Sequence, residues 1–381
     1  LCGSTSGDEM ARVTRVAFSA CGTRLAVCTS DGLLRMCDAE HTGTVLWKER
    51  VFEDGIEVGC VAFSPDNRFL VCGGETGVCV CWRWDAGSRA VVSLLSRPCL
   101  CKWQAHEEAV ISGPAFSEDA RVFVTGSWDN TMRLWNVAST LVDPRDASGG
   151  PVGGGEAEEE GDELMIAPAP LATVTGFEGW VKCGAVSGGV RAGAVAVGIE
   201  DGSVHVYAIR DLVGGNVEGL LVAAAEAAAG VAAGGDNNNN NNLNRTVQSG
   251  APAYRHDGAV NAVRFGLDGD IMASCSDDAT IKVWSLPGQS LRYTLGAAHF
   301  SDVINDVCFG GRGGSVLCSA AADGVLRCFN ARNSDLLVAL GGHTDECLAV
   351  AAAPEAGSHQ MATGSADGTV RYWSVDADEF M

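Results

Sequence analysis

The sequence predicts an all-β fold: a seven-bladed β-propeller with four antiparallel strands per blade, filling residues 1–381 as one domain. Three observations carry this. One short pattern recurs seven times, at a period too short for separate domains. Each copy divides into four β-rich runs separated by turn residues. A lone sheet of such runs has two apolar faces and cannot bury both, so the copies must stack around an axis into a ring that leaves only short edges.

The recurring pattern is a small apolar strand, a turn built on Asp, a second strand and a closing aromatic. It reads Ser30-Asp31-Gly32 to Cys37, Thr76-Gly77 to Trp82, Trp128-Asp129-Asn130 to Trp135, and Glu200-Asp201-Gly202 to Tyr207. It continues as Asp277-Asp278-Ala279 to Trp284, Asp323-Gly324 to Phe329, and Asp367-Gly368 to Trp373. The closing position steps by 45, 53, 72, 77, 45 and 44 residues. In the fifth copy the β-rich runs are 259–265, 271–276, 280–286 and 291–295, with Leu267-Asp268-Gly269 and Asp277-Asp278 supplying turns.

Two steps are long enough to raise the question of an eighth blade. Composition argues for insertions instead. Residues 138–169 are Gly-rich and carry the acidic run 156–163; residues 210–245 hold an Ala-rich stretch and then the Asn run 237–242. Neither has paired β runs around a turn, so both read as disordered insertions, in blades three and four, between third and fourth strands. A short helix over 220–233 is weakened by Gly230.

The formal net charge of −22 argues against direct nucleic-acid binding, which needs clustered Lys and Arg, and favours basic protein partners. The 16 cysteines include no Cys-x-x-Cys pair, and many sit inside apolar runs, which indicates packing thiols in a reducing compartment, cytoplasmic or nuclear. No signal peptide is evident, the apolar run 220–225 is far too short to span a membrane, and a chain beginning at Leu1 reads as a trimmed piece. The Gly-rich stretch 149–155 lacks the Lys-Ser/Thr of a phosphate loop. No catalytic, cofactor or metal site is expected.

The repeat period, the Asp-Gly turn and the terminal Trp together resemble the WD-repeat (G-beta-like) β-propeller family over nearly the whole chain. The resemblance implies a hydrogen-bonded set in each regular blade: a His at the entrance, a Ser or Thr on the second strand, the turn Asp and the third-strand Trp. It assigns His106, Thr125, Asp129 and Trp135 to blade three, and His256, Ser274, Asp278 and Trp284 to blade five. Blade seven takes His343, Thr363, Asp367 and Trp373; blade six takes His299, Ser319 and Asp323, with Phe329 in place of Trp. A Ser/His/Asp grouping copied around a ring is structural rather than catalytic. Blades one (Asp8, Val27, Cys37), two (Asp54, Cys72, Thr76) and four (Phe177, Val197, Tyr207) break the pattern and should rely on apolar packing. Either 1–6 or 376–381 could complete the last blade.

The resemblance also implies docking at the top of the central channel. Carried over by position, the turn residues include Glu75, Trp128, Glu200 and Asp277. The inner-strand starts include Arg12, Glu57, Trp180 and Lys182, then Asn261, Asn305 and Glu346. Trp is favoured at binding hot spots, and the carboxylates suit a basic segment. The expected function is a non-catalytic scaffold or adaptor in a multiprotein complex. The alternative is an acidic escort for one basic client, such as a ribosomal protein or histone.

Overall fold

A computed structural model describes residues 11–40, 44–53, 55–83, 101–140, 169–189, 192–214, 245–266, 269–298, 300–354 and 360–374. They form seven sheets. Blade one is β1 (Val13–Phe18), β2 (Arg24–Thr29), β3 (Leu33–Asp38) and β4 (Val45–Arg50). Blade two is β5 (Val58–Phe63), β6 (Phe69–Gly74), β7 (Val78–Arg83) and β8 (Cys101–Gln104); blade three is β9 (Val110–Phe116), β10 (Val122–Ser127), β11 (Met132–Asn136) and β12 (Ala172–Thr175). Blade four is β13 (Val181–Ser187), β14 (Ala194–Ile199), β15 (Ser203–Ala208) and, after the intervening β16 (Arg245–Gln248), β17 (Tyr254–Arg255). Blade five is β18 (Val260–Phe265), β19 (Ile271–Ser276), β20 (Ile281–Ser285) and β21 (Ser290–Leu295). Blade six is β22 (Ile304–Gly310), β23 (Val316–Ala321), β24 (Leu326–Asn330) and β25 (Leu336–Leu340); blade seven is β26 (Cys347–Ala352), β27 (Gln360–Ser365) and β28 (Val370–Ser374).

The core is a set of seams rather than one centre. Leu34, Met36 and Trp47 of blade one pack on Leu70, Val80 and Trp82 of blade two, and every neighbouring pair repeats this. The ring closes where Leu25, Val27 and Cys37 of blade one meet Ala349, Ala362 and Val370 of blade seven. Apolar area buried on both faces of each sheet is what stabilises the stack. The second-to-third-strand turns need a left-handed residue: Gly77 has φ +77° and its missing side chain makes room for the carbonyl of His106. Asn130 and Ala279 hold the same conformation without being glycine.

Six of the inner strands bulge against their neighbours at one and the same place, just inside their start. The skipped residues are Thr14, Gly59, Lys182, Asn261, Asn305 and Leu348. A bulge turns one residue out of the ladder, and here it does so at the mouth of the central channel.

Three departures from the four-stranded unit are found. Blade seven has three strands among the described residues, and both stretches considered for completing it, 1–6 and 376–381, lie outside them. Blade three has a fifth strand, because β16 pairs parallel to β12 from Ala172↔Arg245 to Thr175↔Gln248. The expected insertion 210–245 therefore ends in a strand of the neighbouring blade. The fourth strand of blade four is reduced to two residues, paired as Ser203↔Arg255 and Val204↔Tyr254. Residues 141–168 and 215–244 lie outside the described residues. The single turns that precede them, α1 (Val137–Thr140) and α2 (Ile209–Leu212), continue β11 and β15 on the face opposite the Asp turns.

Candidate functional site

Three blades hold the same chain of hydrogen bonds. In blade three, His106 Nδ1 lies 3.0 Å from Asp129 Oδ2, its Nε2 lies 2.7 Å from Thr125 Oγ1, and Trp135 Nε1 donates to that same oxygen at 2.8 Å. In blade five the contacts are His256 to Asp278 at 2.9 Å, His256 to Ser274 at 2.7 Å and Trp284 to Ser274 at 2.9 Å. In blade seven they are His343 to Asp367 at 3.0 Å, His343 to Thr363 at 2.8 Å and Trp373 to Thr363 at 2.8 Å. A neutral imidazole satisfies every member: Nδ1–H donates to the carboxylate, and Nε2 accepts the hydroxyl proton. Burial lowers the pKa of His106 and His343 against the pull of their Asp partners. Burial pushes Asp129 up, but the hydrogen bond and charge of His106, with those from Thr131 and the Glu107 N–H, bring it down to about 2. A fifth member had no counterpart in the expected set. Thr131, Thr280 and Thr369 each donate to the outer Asp oxygen at 2.6 Å, from two residues beyond the Asp.

On the Asp-turn face, Trp128 and Trp180 stack at 4.8 Å between ring centroids with 22° between planes. Trp180 is 39% exposed, and the buried Trp128 Nε1 has no hydrogen-bond partner among the described residues. The Glu200 carboxylate lies beside Gly179, the residue before Trp180. Further round, Lys182 Nζ contacts Asn261 Oδ1 at 2.6 Å, and Asn261 Nδ2 donates to Asp277 Oδ1 at 2.6 Å and to the Ile304 carbonyl at 3.0 Å. Asn305 donates to the Cys347 carbonyl at 3.0 Å. Arg12 and Glu57 pair at 3.7 Å. Burial raises the pKa of Glu57, with Arg12 opposing and Glu75 adding to the rise. Glu75, Glu200, Asp277 and Glu346 are exposed. Of all these residues, Lys182 and Asn261 line the central channel, a cavity of about 400 Å³ walled by all seven inner strands.

A family model described as WD domain, G-beta repeat, matches residues 2–38, 49–83, 97–136, 252–285 and 334–374. The chain belongs to the WD-repeat family. The nuclear distribution protein PAC1 of Arthroderma benhamiae is 31% identical over 141 residues, 35% of this chain and 29% of that protein. The WD40 repeat-containing protein HOS15 of Arabidopsis thaliana is 27% identical over 105 residues, 26% of this chain and 17% of that protein. The matched stretches thus span less than a third of either relative. The WD-repeat match passes over most of blades four and six, which carry Tyr207 and Phe329 at the Trp position.

The irregular WD repeats solve their polar problem in other ways than apolar packing alone. In blade two, Trp82 Nε1 donates to Glu49 Oε2 on β4 of blade one at 3.2 Å, so the partner comes from across a seam. In blade one, Thr29 rather than a residue at position 27 donates to Asp31. In blade four, Ser203 donates to Asp201 at 2.6 Å and lies 3.2 Å from His205 Nε2. Phe177 packs edge-on against the His205 ring at 5.2 Å. The spacing Asp201-Gly202-Ser203 marks this group in the sequence. In blade six, Asp323 is claimed by Arg327, with contacts of 2.6 and 3.0 Å, and Ser319 donates to the Arg327 carbonyl at 3.5 Å. His299 lies outside the described residues.

The channel wall holds residues that position matching passed over. Arg15 Nη1 donates to the carbonyls of Thr14 and Leu348. Arg264 pairs with Asp306 at 3.0 Å, and Asp306 also accepts the Val350 N–H at 3.1 Å. With Lys182 they make a channel richer in cations than the acidic surface around it. Phe18, Phe116, Phe265 and Phe309 line it further along the same strands. Among the described residues, no helix is long and apolar enough to cross a membrane.

Proposed function

We propose that this WD-repeat chain is a non-catalytic interaction scaffold of a multiprotein complex, and that it docks partners through basic segments on the Asp-turn face. The observation that carries the reading is the Trp128–Trp180 stack: a large aromatic surface, 39% exposed at Trp180, beside the carboxylate of Glu200. An exposed aromatic anchor with acidic neighbours suits Arg or Lys, through cation–π contact and charge pairing. The repeated His–Ser/Thr–Asp sets support a structural role for those groups. Each set is closed on itself, and its hydroxyl, on Thr125, Ser274 or Thr363, is held by both His and Trp and buried away from any substrate.

The net charge of −22 favours a second reading, an escort for a single basic client. Affinity purification of the parent and Trp128→Ala chains, with mass spectrometry of what is retained, tests both. Several stoichiometric proteins lost together in the variant support the scaffold. One salt-sensitive basic protein supports the escort. Retention of the same proteins by both chains rules out docking at Trp128.

A further inference from the structure

Blade six carries a ladder of sulfur across three adjacent strands. Cys308 of β22 is the register partner of Cys318 of β23, and Cys318 is the register partner of Cys328 of β24. Directly opposed residues project from the same sheet face, so the three thiols share one side of the sheet. From blade seven, Met361 of β27 closes on them. The distances are 3.4 Å from Cys318 Sγ to Cys328 Sγ, 3.0 Å from Cys318 Sγ to Met361 Sδ and 3.9 Å from Cys328 Sγ to Met361 Sδ. Cys318 and Cys328 are fully buried.

We infer that Cys318, Cys328 and Met361 form a binding site for one Cu(I) ion. The three sulfurs define a triangle whose centre lies about 2.0 Å from each, a few tenths of an ångström short of the roughly 2.3 Å of a metal–thiolate bond. A small outward shift of flexible side chains would seat an ion. Two thiolates and a thioether are soft donors, a set that suits Cu(I) and not magnesium or calcium. Three sulfurs also suit a low-coordinate monovalent ion better than the four ligands of a structural zinc site. The surrounding shell is apolar: Val316, Ala320, Leu326 and Val350 exclude water and stabilise the reduced ion. An entry path exists as well. Cys308, the register partner of Cys318, lines the central channel and so lies between the channel and the site.

Binding exchanges protons for metal. One Cu(I), two thiols and one thioether give a dithiolate–thioether complex and two protons, which leave through the channel; no electron is transferred. Two thiols give up their protons when the ion binds, so affinity must rise with pH.

The test is anaerobic titration of the reduced full chain with Cu(I) against bathocuproine disulfonate. One equivalent should be withheld from the chelator, with near-ultraviolet sulfur-to-copper absorption and an apparent affinity rising by about a hundredfold per pH unit, as two released protons require. Met361→Leu preserves volume and should fold normally, yet weaken that equivalent at least tenfold. Cys318→Ser should remove it. Cys79→Ser, at a buried thiol of blade two, should leave it intact. No withheld equivalent, parental affinity in Met361→Leu, or loss in Cys79→Ser in place of Met361→Leu would each overturn the assignment.

Discussion

Gly364 of β27 lies against Val13 of β1 so closely that a methyl group on its Cα would overlap Val13 Cγ1. The contact sits on the seam where the last blade meets the first. Gly73, Gly126 and Gly198 make the same approach to Val110, Val181 and Val260 on other seams. The closing seam is thus packed like the internal ones, blade against blade. Gly364→Ala should destabilise the ring by about 1–3 kcal/mol through overpacking. Gly341→Ala, at a site with nothing within 4 Å among the described residues, should change little. Urea midpoints compare the two; equal midpoints would show that the seam adjusts freely.

Asp278 holds His256 Nδ1, the Asp257 N–H and Thr280 Oγ1 at once. Asp278→Ala removes the acceptor and leaves buried donors unpaired, at roughly 1–3 kcal/mol. Thr76→Ala, at the corresponding turn of blade two, keeps the backbone carbonyl that accepts from Gln104 and so should cost less. Thermal unfolding distinguishes them, and a Thr76→Ala shift as large as that of Asp278→Ala would deny the network its role.

Stability should fall in acid in two stages. His106 and His343 have folded pKa values below their usual 6.5, chiefly through burial, so the unfolded chain binds the proton first. Protons taken up preferentially by the unfolded state remove stability as pH drops below about 6.5. Asp129 is depressed to about 2. Its contribution is present above its unfolded value of about 3.9 and is lost as pH falls from there through the folded value. Denaturant midpoints from pH 8 to 3 should therefore decline from near neutrality, with a further drop below about pH 4. In His106→Gln the first decline should be smaller, and an unchanged profile would remove His106 from it.

The regular blades were legible because their signal is local. His, hydroxyl, Asp and Trp recur at near-constant spacing, and the Asp turn forces the second and third strands into register. Relationships that cross seams or arise from long separation were not. β16 reads only as Arg245-Thr246-Val247-Gln248, and nothing in those four residues names β12, some seventy positions earlier, as its partner. Glu49 serves Trp82 from another blade, which pattern matching within one repeat overlooks. Arg327 captures Asp323 because both lie within one turn and strand, a competition that a family template does not contain. Arg15 and Arg264 reach the channel because the bulges reset the alternation of the inner strands, which residue type alone does not reveal.

Ala279 holds a left-handed backbone with φ +60°, in the turn position where five other blades carry glycine and blade three carries Asn130. An L-residue pays steric strain there, and Ala279→Gly should relieve it, stabilising the protein by about 1 kcal/mol less the added flexibility of the unfolded chain. The Thr280 and Asp278 contacts on either side need no change. A lower melting midpoint for Ala279→Gly would mean that flexibility outweighs strain at this turn.

The carboxylates of the Asp-turn face should act on encounter more than on residence. Glu75 and Glu200 are exposed, and neither is held in an ion pair among the described residues. Long-range attraction to a basic segment raises the association rate and is screened by salt over about 10 Å at 0.1 M. Reversing both to Lys should therefore slow association severalfold at low salt and flatten its salt dependence, while dissociation changes little. Trp128→Ala should do the opposite: it removes packed aromatic area, speeds dissociation, and weakens binding by about 1–2 kcal/mol. The two signatures separate steering from anchoring in one experiment, binding kinetics at two salt concentrations with a purified partner. If both variants bind like the parent, the partner docks elsewhere, and the acidic run at 156–163 becomes the next segment to reverse.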